Sequence, residues 1–183
     1  MTTPDLIRCT GTVPVAIPAP PPVHDGTHDF DFIHGAWHIH NRRLRHPLTG
    51  STEWYEFEGD SVERPLWDGR ANLEEYEAVL PEGIRIQGLA LRLYEPKTRR
   101  WTIHWSSSAT GTLDPPMTGI FHDGVGEFYS HEDYQGRMII VRFDWRSVDR
   151  NAARWEQAFS ADGGKTWETN WIMDFTRTGS AIS

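Results

Sequence analysis

Cysteine is nearly absent: Cys9 stands alone among 183 residues, in the N-terminal stretch. One thiol excludes an intramolecular disulfide and a thiolate cluster for zinc or iron–sulfur. Long apolar runs are missing too. No stretch of about 18 apolar residues offers a membrane-spanning helix. The first residues show no basic segment followed by an apolar one, so no ordinary secretion signal is read and the cytoplasm is the default expectation. Positive charge is also in short supply. Lys and Arg number 18 against 26 Asp and Glu, giving a formal charge of −8 and a pI near 5.5. That balance argues against a nucleic-acid or anionic-membrane partner. The short basic groups, Arg42-Arg43 with Arg45 and Lys97 with Arg99-Arg100, sit near expected strand ends and read as solvated edges. No Gly-rich phosphate loop, dinucleotide fingerprint or Gly-x-Ser-x-Gly elbow occurs, and no cofactor is expected.

What the chain has in quantity is aromatic mass: nine Trp, eight Phe and five Tyr, in a sequence whose mean hydropathy is −0.57. Large rings bury much surface and suit both sheet cores and pockets for flat ligands. The length suits one domain with a sizeable core. Residues 1–27 read as a Pro-rich arm, because Pro4, Pro14, Pro18, Pro20, Pro21 and Pro22 remove backbone donors and favour polyproline II. The domain proper is expected over residues 28–183.

Within it, short β-branched and aromatic segments follow one another: Glu53–Glu58, Asn72–Leu80, Ile84–Tyr94, Arg100–Ser107, Thr118–His122, Glu127–His131, Arg137–Arg146, Arg154–Ser160 and Thr166–Arg177. Breaks fall at Pro47, Gly50, Pro65, Pro81-Glu82-Gly83, Pro115-Pro116, Gly124 and Gly136. Only Leu73–Leu80 competes as a helix. No repeat of roughly 20–50 residues points to a solenoid or propeller. The pattern predicts an all-β fold, a single antiparallel up-and-down β-barrel of about nine or ten strands whose closure removes exposed edges.

The stretch His28–Arg43 organises the reading. From Trp37 onward it alternates, with Trp37, Ile39, Asn41 and Arg43 on one face and His38, His40 and Arg42 on the other. His38-x-His40 sets two imidazoles about 7 Å apart on one strand face, a spacing used by metal sites, and His34, His104, His122 or His131 could complete a set. If Trp37 points inward, however, both histidines point outward, and no metal site is expected.

Two local motifs resemble known ones. Ser160-Ala161-Asp162-Gly163-Gly164-Lys165-Thr166-Trp167 resembles the Asp-box of sialidase-like propellers. It occurs once here and implies a tight hairpin only. Gly35-Ala36-Trp37 resembles the Gly-x-Trp signature of lipocalins and related calycin barrels. In that group the tryptophan closes one barrel end and packs under an arginine of the last strand, a role that the resemblance gives to Arg177. The wider pattern resembles a bacterial family of lipocalin-like proteins, through Phe30-Asp31-Phe32, Trp37 with Asn41-Arg42-Arg43-Leu44, Gly126-Glu127-Phe128-Tyr129, Arg142-Phe143-Asp144-Trp145 and Arg154–Ser160. It implies a calycin-type barrel and brings no established activity. Fold analogy cannot supply the chemistry.

Trp101, Ile103 and Trp105 share a strand face, as do Phe143 with Trp145, and Trp155 with Gln157 and Phe159. If Arg146 pairs with Arg154, Trp145 falls opposite Trp155. These rings either fill a narrow barrel or wall a pocket. The leading expectation is binding of a small hydrophobic or aromatic molecule in the barrel. Trp37, Trp105, Trp145, Trp155 and Trp171 would form walls, while Asn41, Arg43, Gln157 and Tyr129 orient polar groups. The alternative is a cofactor-free cyclase, isomerase or lyase in the same cavity, with Glu156, His104, Tyr129 or Arg142 as acid, base or anion stabiliser. Asp144 opposite Glu156 would raise one carboxyl pKa if both were buried. Arg142 beside them leaves a salt-bridged exterior as the other reading. A third class is a structural module that pairs two copies through an outer sheet face, as a homodimer.

Overall fold

The computed structural model describes residues 25–179. Cys9 and the prolines of the expected arm lie outside the described residues. Ten strands follow one another: β1 (Gly35–Leu44), β2 (Trp54–Leu66), β3 (Ala71–Val79), β4 (Arg85–Glu95), β5 (Arg100–Ser107), β6 (Met117–His122), β7 (Val125–Tyr134), β8 (Arg137–Asp149), β9 (Ala152–Ser160) and β10 (Glu168–Gly179). Each pairs antiparallel with its neighbour in sequence, and β1 pairs with β10 to close an up-and-down barrel. The described helical pieces are two 3-10 turns, Asp31–Ile33 and Trp67–Gly69, and neither is long enough to cross a membrane.

One strand differs in extent from the sequence reading. β2 runs on through Pro65, where a break was expected, and does not stop at Glu58. Pro65 faces Asn72 one residue before the strand ends, a position where a missing N–H is tolerated. The candidate strand Asn72–Leu80, where a helix was the competing reading over Leu73–Leu80, is indeed strand, as β3 through Val79. Asn72, Glu74, Tyr76 and Ala78 are all buried, so period two wins over the helical propensity of its glutamates.

One end of the barrel is closed by residues 25–34. Trp37 is buried, and the Arg177 guanidinium lies 4.0 Å above its ring. Arg177 also donates to the carbonyls of Phe32, at 2.8 Å, and His34. The Trp37 indole donates to Ile33 O at 2.5 Å. Gly35, at φ 133°, turns the chain from the 3-10 segment into β1, in a region that L side chains rarely adopt. Phe30 enters the barrel against Phe121, Trp101 and Phe128, at 4.9, 5.1 and 5.6 Å between ring centroids. Tyr94 Oη donates to Asp25 O and Trp101 Nε1 to Gly26 O, fastening the incoming chain.

The Asp-box stretch is the hairpin it resembles. Asp162 accepts from the Thr166 amide at 3.0 Å and hydroxyl at 2.6 Å, and from the Lys165 amide at 3.1 Å. These bonds hold its carboxyl below the usual range.

Arg177→Met removes the bonds to the Phe32, His34 and Arg150 carbonyls and the cation above Trp37. Thermal and urea unfolding are expected to show a loss of about 2–4 kcal/mol. A variant as stable as the parent would show that the plug does not depend on this arginine.

Candidate binding site

Ascending from the plug, the interior first holds a charged layer. Register puts Glu63 opposite Glu74 and Asn72 opposite Arg92 on three adjacent strands. Alternation turns all four inward, where each is at most 5% exposed. Arg92 donates through Nη1 to Glu63 Oε2 at 2.6 Å and Asn72 Oδ1 at 3.0 Å, and through Nη2 to Glu74 Oε2 at 2.5 Å. Its guanidinium faces the rings of Trp145 and Phe30, at 4.9 and 5.3 Å. Two carboxyls thus meet one guanidinium. Burial pushes the Glu63 carboxyl well up; Arg92 opposes that, and Glu74 adds to it. Burial and Glu74 therefore favour the proton on Glu63, and Arg92 works against them. Its Oε1, together with Asn72 Nδ2, Arg92 Nε and Trp145 Nε1, is buried with no protein partner.

The next layer is centred on Asn41, whose Oδ1 accepts from Tyr76 Oη and Trp171 Nε1, both at 3.1 Å. Burial raises the Tyr76 phenol, and the Glu74 carboxylate adds to the shift. Beyond it, at the end opposite the plug, a cavity of about 230 Å³ opens between Arg43, Arg45, Tyr55, Tyr134, Gln157, Phe159 and Asn170. Arg43 lies 4.3 Å over the Trp171 ring, and Arg45 lies 4.9 Å over Tyr55. Gln157 Nε2 donates to Asn170 Oδ1 at 2.7 Å. Tyr134 packs on Phe159 with centroids 5.2 Å apart.

The residues expected to bind a ligand separate into four places. Arg43 and Gln157 border the mouth cavity, with Asn41 and Trp171 directly beneath. Trp145 and Trp155 face each other across β8 and β9, as expected, but are packed into the core. Trp37 serves the plug at the far end. Trp105 is half-buried on the opposite wall, against Tyr76 at 6.1 Å and over Gly88, where a Cβ would come within 1.9 Å of the indole. Tyr55 and Tyr134 were not among the expected residues. Both stand at strand ends beside turns, and only the barrel's closure brings them together.

The placement of Glu156, His104, Tyr129 and Arg142 corrects the expectation that they enter the interior. Each alternates with an inward neighbour, Trp155, Ile103, Phe128 or Val141, and so faces out. On the outer surface Glu156 accepts from Arg154 at 2.7 Å and Arg146 at 3.4 Å. Arg142 pairs with Asp144 at 3.0 Å and lies 4.7 Å over Trp167. Tyr129 donates to Glu127 at 3.2 Å and stacks near Trp167 at 6.0 Å, so it orients no group in the interior. Asp144 does face Glu156, and burial raises its carboxyl. The salt-bridged exterior is therefore the correct reading of that group. His38 and His40 also face out, bonded to Asp60 at 3.0 Å and Glu58 at 2.8 Å.

A larger hollow of about 630 Å³ crosses β2–β5 near Asp60, Glu75, Glu77 and Leu89. Its carboxylates already have partners: His38 for Asp60, Arg64 for Glu75 and Arg85 for Glu77. The mouth combines rings, amides and an uncommitted guanidinium, and is the better candidate.

No family model and no curated protein matches this sequence. Among solved structures, one described as EF1p2_mFAP2b bound to DFHBI is similar, with a TM-score of 0.46 and 9% identity, over 84% of this chain and 99% of that one. The functional reading rests on this chain's own geometry.

The buried layer generates a paired prediction. Arg92→Met leaves two carboxyls without their cation and is expected to cost about 3–5 kcal/mol, whereas Glu63→Gln costs far less. A carboxyl whose folded pKa is raised binds its proton more tightly in the folded state. The stability Glu63 contributes is therefore full below the unfolded value, about 4.5, and falls as pH rises toward the folded value. Urea unfolding from pH 4 to 9 should show the parent losing stability relative to Glu63→Gln as pH rises. A constant difference would mean that Glu63 is ionised in the fold.

Proposed function

We propose that the barrel binds a small aromatic or hydrophobic organic molecule through its open mouth. The supporting observation is the cavity of about 230 Å³ in which the rings of Tyr55, Tyr134 and Phe159 stand beside the Gln157–Asn170 amide pair. Apolar walls with a few placed polar groups are the usual make-up of a small-molecule site. Cavities for drug-sized ligands measure roughly 300–1,000 Å³, so this one suits a ligand of one or two rings. Trp171, hydrogen-bonded to Asn41 and lying under Arg43, forms a flat floor. The closed half of the barrel is filled by Trp37, Trp101, Trp145, Phe128 and Phe175, which leaves the mouth as the place for a guest. Catalysis in this cavity would not fall to Glu156, His104, Tyr129 or Arg142, which face away from it.

Titrating the protein with neutral and charged one- and two-ring compounds, followed by tryptophan fluorescence, is the test. At least one compound should give a saturable change through Trp171. Gln157→Phe, which fills the mouth, should weaken that binding about tenfold or more, since a displaced ring forfeits its burial. Absence of any saturable change, or binding indifferent to the filled mouth in a folded variant, would contradict the proposal.

A further inference from the structure

We propose that the ligand is a small planar organic anion, an aromatic monocarboxylate of one or two rings, and that Arg43 holds its carboxylate. The inference rests on the reading of the mouth as the binding site and adds the ligand's charge and orientation.

The starting point is how the inward-facing cations are compensated. Arg92, deep in the barrel, has Glu63 and Glu74. Arg45, on the rim, is committed to Glu53 at 2.9 Å and Glu82 at 3.4 Å. On the outer face, Arg42 and Arg154 share Asp174. Arg43 is different. It shares the inward face of Trp37, Ile39 and Asn41, is half-buried, and borders the cavity. Its guanidinium lies over the Trp171 ring at 4.3 Å, and among the described residues no carboxylate pairs with it and no acceptor takes its protons. In a chain of charge −8 carboxylates are not scarce; they are directed elsewhere. A partly desolvated guanidinium without a partner is costly, and a guest anion that meets it recovers that cost.

The geometry selects the kind of anion. An arginine stacked on an indole keeps its rigid N–H fork at the edge, where it matches a carboxylate with two parallel bonds. The phenol hydroxyls of Tyr55 and Tyr134 border the same cavity and donate to no protein group among the described residues. They can flank the carboxylate, while Phe159 and the two tyrosine rings cover the ligand's faces. The cavity's volume of about 230 Å³ limits the ring system to one or two rings.

Calorimetric titration with 2-naphthoate and 2-naphthamide, nearly equal in shape and different in charge, decides the matter. The parent is expected to bind naphthoate about tenfold or more tightly than naphthamide, the ratio typical of a charge-assisted hydrogen-bond pair. In Arg43→Gln the preference should collapse to within about twofold, chiefly through weaker naphthoate binding, with the circular dichroism spectrum showing that the barrel stays folded. Should that variant unfold, Arg43→Lys keeps the cation but not the fork, and should weaken naphthoate selectively. Equal binding of the two probes by the parent overturns the anion assignment and leaves the mouth as a binding site. A preference that survives loss of Arg43 overturns the role of Arg43. Binding of neither probe overturns this inference and the function on which it rests.

Discussion

Trp37, pinned beneath the Arg177 guanidinium, decides which way every strand of this barrel faces. Side chains alternate along a strand, so one inward tryptophan commits Ile39, Asn41 and Arg43 to the interior as well. Register carries the commitment around the wall. Opposite those residues stand Gly59, Phe57 and Tyr55 on β2, and Phe175, Met173 and Trp171 on β10, all on the inner surface. The same plug seals one end with Phe30 and the turn at Asp31–Ile33, leaving the opposite end as the approach to the interior. A slip of one residue would bring His38, His40, Glu56 and Glu58 inside, four polar groups whose burial the fold could not compensate.

Between plug and mouth lies the Arg92 layer. Its contribution is not simply stabilising, because taking a guanidinium and two carboxyls out of water costs several kcal/mol per ion, which their attraction offsets only in part. Burial raises the Glu63 carboxyl, which favours its proton and so less buried charge, and Arg92 is set against the faces of Trp145 and Phe30. Above it come the Asn41 bonds, and then the rings, amides and arginines of the mouth. The interior is therefore not a uniform hydrophobic plug. Arg92 and Arg43 stand in contrast: Arg92 meets two carboxyls, whereas Arg43 has no carboxylate partner among the described residues.

How much of this could be read from the sequence depended on whether a feature was local. Alternation, turn residues and the absence of helical periods are properties of neighbouring residues, and they were enough for a closed antiparallel barrel of about the right strand number. The Trp37–Arg177 plug was legible through the Gly-x-Trp resemblance, and the outward histidines followed from it. The Arg92 layer was not legible. A glutamate on a strand reads as a solvent-facing residue, and β2 had been ended at Glu58, short of Glu63. Glu156, His104, Tyr129 and Arg142 have side chains suited to acid–base work, but residue type carries no strand phase, and the pleat turns each of them outward. The competition between filled core and open pocket had no sequence signature. In the fold Trp145 and Trp155 pack against neighbours in the core, while Tyr55, Tyr134 and Phe159 border the mouth cavity.

The most direct measurement is a heteronuclear NMR titration that follows tryptophan indole and arginine side-chain N–H signals as an aromatic carboxylate is added. Entry through the mouth predicts progressive shifts of the Trp171 indole and Arg43 Nε–H signals, while the Trp37 and Trp101 indoles at the plug and Trp167 on the outer surface stay in place. Shifts centred on Trp167, or on Trp37 with Arg177, would contradict the account by placing the guest outside the barrel or at its sealed end.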